Sequence, residues 1–176
     1  ALAGGLPAVV SIASSGGAEA RSAAIAALHK LATGGDEAAG AALAASTDAM
    51  ALFVAQLGRG VVATRSLRHL SSRAEALPTI VSTGGIVPLV TTANSDDEDA
   101  RRDSALVLAK LAAGPHGDAL ASSGGVEVLI AAVQVGEPEL TSTGATALEQ
   151  LAACASARVA IQSTGVPACV RLLANG

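Results

Sequence analysis

Apolar side chains recur at three- and four-residue steps in four stretches of the chain, with short glycine-led apolar segments between them. In residues 18–32 the apolar positions are Ala23, Ala24, Ala27, Leu28 and Leu31. In the third stretch they are Ala105, Leu106, Leu108, Ala109 and Leu111, and in the fourth Leu140, Ala145, Leu148 and Leu151. That spacing lines one face of an α-helix. The second stretch, residues 61–70, is shorter. From Gly5 to Leu31, Gly85 to Leu111 and Gly125 to Leu151 the separation is 26 positions, whereas Asp48 to Leu70 covers only 22. Four residues make about one helical turn, so the second long helix is expected to lose a turn while its remaining residues keep their facing. Leu31, Leu70, Leu111 and Leu151 are then equivalent core-facing positions at successive levels.

The glycine-led segments repeat as well. Thr83-Gly84-Gly85-Ile86-Val87-Pro88-Leu89-Val90 returns forty residues later as Ser123-Gly124-Gly125-Val126-Glu127-Val128-Leu129-Ile130, and again as Thr164-Gly165-Val166-Pro167-Ala168-Cys169-Val170. An earlier copy is Gly4-Gly5-Leu6-Pro7-Ala8-Val9-Val10, and a degenerate one surrounds Asp48-Ala49-Met50-Ala51-Leu52-Phe53-Val54. A period near forty signals a solenoid, in which each unit buries its apolar face only by stacking on its neighbours. The expected architecture is all-α, with little or no strand. The chain reads as a single array over 1–176, with units near 1–34 (partial), 35–72, 73–113, 114–154 and 155–176 (partial), and as a piece of a longer protein.

Local signals predict the breaks. Pro7 is expected in the first turn of a segment over residues 6–12, where a missing N–H costs nothing. Gly16-Gly17 and Thr33-Gly34-Gly35 end helices, and Asp36-Glu37 places carboxylates at the start of the next. Ser72 with Glu75 fits a capping box, and Pro78 is expected to confine the following helix to residues 78–82. Ser95 reads as an N-cap with Glu98 as its partner, and Asp97 with Arg101 and Glu98 with Arg102 as i,i+4 pairs. Gly114-Pro115 closes one helix and opens the next, and Gly136 to Glu139 form the last break. A final short segment covers residues 166–173.

Composition narrows the function. Of 176 residues 51% are hydrophobic but only 1% aromatic, with Phe53 the only Phe, Tyr or Trp. The core must be built from Ala, Leu, Val and Ile, and the stacking surfaces of single-stranded nucleic-acid binders are missing. A net charge of -4 supplies no phosphate-neutralising field. Nucleic acid and membrane insertion are therefore not expected as partners. Cys154 and Cys169 are too few for a disulfide framework, and their ordinary reading is that of small buried thiols.

A glycine followed by a short, usually Pro-bearing helix, a polar break, a long helix and a further helix resembles the armadillo repeat. The long helices end in Lys30-Leu31-Ala32, His69-Leu70-Ser71, Lys110-Leu111-Ala112 and Gln150-Leu151-Ala152. The resemblance covers essentially the whole chain. It implies a right-handed α-α superhelix whose long helices line a concave groove for extended peptides or partner proteins. Family members that bind nuclear localisation signals carry an Asn ladder and a Trp ladder in that groove. Here the first position is Lys30, His69, Lys110 or Gln150 and the second is Ala26, Arg65, Leu106 or Thr146, so both ladders are missing.

Lys30, Arg65, His69, Lys110 and Gln150 are the candidate partner-binding residues, with Arg102 nearby. Their charge favours an acidic partner segment; the plainer alternative is that they are solvated helix positions. No catalytic motif, metal-ligand spacing or cofactor site is expected. Gly58-Arg59-Gly60-Val61-Val62-Ala63 matches a dinucleotide pattern without its strand context, and Asp96-Asp97-Glu98-Asp99 reads as a solvated helix start rather than a cation loop. The function implied is a non-catalytic protein-interaction scaffold in the cytoplasm. The alternatives are a structural subunit of a large cytoskeletal or ciliary assembly, and the substrate-recognition array of a multidomain ubiquitin ligase.

Overall fold

A computed structural model of the chain describes residues 2–165, with side chains from Leu6 onward. The segment expected at residues 166–173, with Cys169, lies outside the described residues. Among those residues there are twelve α-helices, a closing π-helical turn and no strand. The chain packs into two compact units, Ala1–Gly85 and Ile86–Gly176. No single helix among the described residues is long and apolar enough to cross a membrane.

The first unit contains α1 (Leu2–Ser15), α2 (Ala18–Thr33), α3 (Glu37–Ala45), α4 (Thr47–Ala55), α5 (Val61–Leu70) and α6 (Ala76–Ser82). The long helix α2 packs on α1, α3 and α5, and α4 packs on α1, α3, α5 and α6. Helix α5 has ten residues against sixteen in α2, so the second long helix is shortened as its spacing required. Ser46 ends α3 and caps α4, its hydroxyl accepting from the Ala49 N–H at 3.3 Å, and the two helices meet there at 79°. Asp36 caps α3 by accepting from the Ala39 N–H at 3.1 Å. Arg73, beyond α5, reaches back to α3 and donates to Glu37 Oε1 at 2.6 Å and to the Glu37 carbonyl at 3.2 Å.

The second unit contains α7 (Ile86–Ala93), α8 (Glu98–Ala112), α9 (Gly117–Ser122), α10 (Gly125–Val135), α11 (Pro138–Leu151) and α12 (Ala155–Ala160). Helix α8 is its axis, packed by α7, α9, α10 and α11. From Ser104 to Ala109 every side chain of α8 is buried, so this helix is surrounded rather than amphipathic. Pro138 opens α11, where no N–H partner is needed.

The recurring glycine pair has a steric cause. Gly84 and Gly124 hold φ of +74° and +79°, the left-handed conformation that stops the preceding helix. At the second glycine there is no room for a side chain. A Cβ on Gly85 would lie 2.8 Å from the Ile80 carbonyl oxygen, and one on Gly125 would lie 2.7 Å from Leu120 Cδ2.

Several local expectations are corrected. Helix α1 begins at Leu2, which puts Pro7 inside it rather than in the first turn. Helix α6 begins at Ala76, so Pro78 sits within its opening turn, where the backbone N–H has no intrahelical acceptor to lose. Its N-cap is Glu75 and carries no side-chain cap, so the box from Ser72 does not form. Asp97, not Ser95, caps α8, accepting from the Ala100 N–H at 3.0 Å. Arg101 turns instead to the Ser95 carbonyl at 3.5 Å, and Arg102 to residues beyond its own helix. Pro115 lies in a turn before α9 rather than in its first turn.

The core-facing leucines divide in an informative way. Leu70, Leu111 and Leu151 are buried, but Leu31 is only half-buried. The leucines one turn earlier show the reverse at the far end, for Leu28, Leu67 and Leu108 are buried while Leu148 is half-buried. Within each unit, Leu28 of α2 and Leu70 of α5 are buried where those two helices pack, as are Leu108 of α8 and Leu151 of α11. Of the other long helices, α2 packs on α5. Ala23, Ala27 and Ala145, expected on the apolar side, are exposed; the buried positions are Ala24, Leu28 and Ala32 in α2 and Leu140, Gly144, Ala147 and Leu151 in α11.

Candidate functional site

In the first unit α2 and α5 lie side by side. Lys30 is exposed near the end of α2 and His69 is exposed near the end of α5, while Arg65, one turn before His69, is half-buried and already engaged. The sequence singled out all three. His29, weighed from the sequence only as a metal ligand and set aside for want of a second ligand at suitable spacing, is half-buried on α2 and feels the charges of Arg65 and His69. His29 Nδ1 lies 2.8 Å from Ser66 Oγ on α5. Because the Ser66 hydroxyl donates its one hydrogen to the Val62 carbonyl at 2.7 Å, Nδ1–H must be the donor to Ser66. The only signal for His29 was its place directly after Leu28, on the flank of the buried face.

His29 has its pKa lowered, first by burial and then by the positive charge of Arg65 and His69. Its folded-state pKa therefore lies below the unfolded value of about 6.5. Between those two values the unfolded chain binds more protons, so stability rises with pH through that window and is lost as pH falls below about 6.5. Denaturant midpoints measured at neutral and mildly acidic pH are expected to drop less for His29→Gln than for the wild type. An equal drop in both proteins would show that His29 does not carry this linkage.

In the second unit Lys110 is half-buried and engaged, and Gln150 is exposed on α11. Leu106, at the position equivalent to Arg65, is 3% exposed and belongs to the core rather than to a surface. Arg102, expected as a nearby groove cation, instead bridges α8 to α11 through Glu137 at 2.7 Å and Glu139 at 3.0 Å. Its charge is thus balanced within the fold. Cys154 is half-buried rather than enclosed, next to Gly117.

The glycine-rich stretch from Gly58 joins helix α4 to helix α5, with no strand at either side. It is a repeat junction, and its glycines hold φ of +79° at Gly58 and +134° at Gly60. The four acidic residues from Asp96 form the start of α8, with Asp97 occupied as its cap.

No family model matches the chain, and no curated protein matches it. Solved structures do. An engineered protein superimposes with a TM-score of 0.73 at 29% identity, covering 96% of this chain and 71% of its own. A second engineered protein gives 0.75 at 30% identity over 93% of this chain, which spans only 41% of that protein. A designed armadillo repeat protein in complex with the peptide (KR)4 gives 0.75 at 20% identity, covering 96% of this chain and 74% of the other.

Proposed function

The chain has an armadillo-like repeat fold, and from that premise we propose that it is a non-catalytic protein-binding array that takes an extended acidic segment. The observation that carries this reading is the pairing of Lys30 and His69, exposed at equivalent positions on two adjacent long helices with Arg65 one turn away. Successive long helices presenting the same position make a periodic surface, which suits a ligand that is itself periodic, an extended peptide. Lys110 and Gln150 hold the equivalent positions in the second unit and are assigned the same role there.

The charge of the ligand follows from the side chains. The designed neighbour named above is in complex with a basic peptide, whereas the long helices of the first unit here carry Lys30 and Arg65. Like charges across an interface are repulsive, so an acidic partner is favoured. The stems of Lys30 and Arg65 can lie along the helix surface while their heads meet carboxylates.

A labelled glutamate–serine octapeptide tests the reading. The wild-type chain is expected to bind it more tightly than a lysine–serine octapeptide, with affinity falling as salt screens the contact. Lys30→Gln with His69→Gln is expected to weaken binding by about two- to tenfold, the scale of one exposed charge contact and one hydrogen bond. Equal affinities for both peptides, or for both proteins at low salt, would reject this face as the binding surface.

A further inference from the structure

The turn missing from α5 leaves a space. Aligned on their terminal leucines, Leu31 and Leu70, Ala24 and Leu28 of α2 correspond to Ala63 and Leu67 of α5, all four buried, and on that alignment residues 18–21 of α2 extend past the first turn of α5. The overhang is not filled. A cleft of about 470 Å3 opens there, floored by the junction between α4 and α5 and lined by Arg21, Ile25, His29, Gln56, Arg59 and Val62, with smaller residues between them. This volume lies within the range of about 300–1000 Å3 typical of ligand sites.

The lining has one sign of charge. Arg21 and Arg59 are both exposed at its edge, and among the described residues that line it none is acidic. Arg21 gives one contact to the Gly16 carbonyl at 3.2 Å, which leaves most of its five N–H donors for other acceptors. Between the two guanidinium groups the wall is aliphatic, from Ile25 and Val62. Gly60, which opens α5, supplies no side-chain cap, so the first-turn N–H groups at the cleft floor add partial positive charge.

We propose that this cleft is a second binding site, which takes a carboxylate side chain of a partner segment together with an adjacent aliphatic side chain. The carboxylate meets Arg21 and Arg59, and the aliphatic group packs on Ile25 and Val62. Planar guanidinium groups suit two-point recognition of a carboxylate. The site arises from the shortened helix, so it belongs to this repeat junction; it adjoins the periodic surface through Ala26, the position equivalent to Arg65, and extends from there along α2 to Arg21. Arg21, at its far end, lies nine residues from Lys30 along α2, about 13.5 Å at 1.5 Å per residue, whereas His29, at its near end, is next to Lys30 in the chain. The inference rests on the protein-binding reading for its class of ligand and adds a position and a side-chain requirement.

The test uses a labelled peptide of sequence Asp-Leu-Glu-Asp-Leu, capped at both ends, with fluorescence anisotropy on the whole chain. Arg21→Gln with Arg59→Gln is expected to weaken binding about tenfold, the equivalent of losing one charge-assisted contact. Ala26→Trp, an exposed cleft residue whose enlargement fills the space, is expected to abolish it. Lys30→Gln with His69→Gln should leave this peptide within about twofold while weakening the glutamate–serine octapeptide. Peptides with Asn and Gln for the acids, or Ser for leucine, should bind more weakly.

The cleft is overturned if the neutral or the leucine-free peptide binds equally well, or if both cleft variants keep wild-type affinity with unchanged helix content. No binding of the leucine peptide beside intact octapeptide binding overturns the cleft and leaves the array reading standing. Should the double arginine variant fail to fold, Ala26→Trp decides alone.

Discussion

Phe53→Ala is expected to destabilise the first unit by about 3–5 kcal/mol, the usual cost of emptying a buried aromatic site. Phe53 is the only Phe, Tyr or Trp in the chain and is fully buried. It sits on α4, the helix that touches α1, α3, α5 and α6, and a cavity there is bordered by elements that are themselves held in place. The small residues of this core, Ala49 and Ala63 among them, have no spare side-chain length with which to fill it. A repeat array need not unfold in one step, so the loss is best read by hydrogen exchange of amides in α4 and α5 alongside urea denaturation. A loss under about 1 kcal/mol would mean that the unit relaxes around the vacancy.

Leu111→Ala is expected to cost about 2–5 kcal/mol, whereas Leu31→Ala, at the equivalent position of the first long helix, should cost about 1 kcal/mol or less. Both substitutions delete the same atoms. Leu111 is fully buried in a helix packed by α7, α9, α10 and α11, whereas Leu31 is only half-buried. Removing Leu111 therefore leaves a cavity, but removing Leu31 mostly exposes surface that water already reaches. Paired urea titrations of the two variants measure the contrast. Equal costs would contradict the difference in burial between the two positions.

Much of the architecture could be read before any coordinates. The forty-residue recurrence of the glycine pair, the apolar steps of the long helices and the shortened second copy each reported a backbone requirement. Gly84 and Gly124 need a left-handed φ, and the missing four residues remove a turn without rotating the face. Such requirements act within a few residues of chain, and sequence carries them directly.

Local capping was less legible, because Ser95 and Asp97 both offer a suitable oxygen and only the path of the chain from α7 decides that Asp97 takes the role. Burial was less legible still. Leu31 and Leu111 have the same neighbours in sequence but different neighbours in space. Arg102 looked like a groove cation until α11 brought Glu137 and Glu139 to it. His29 was legible only as a histidine without a second metal ligand nearby, because its partner, Ser66, is 37 residues away. The sequence by itself determined the repeat, its helices and the place where one turn is lost. The tertiary structure decided which charges are already paired, which leucines are covered and that the lost turn leaves a cleft, since each depends on what a neighbouring helix places beside it.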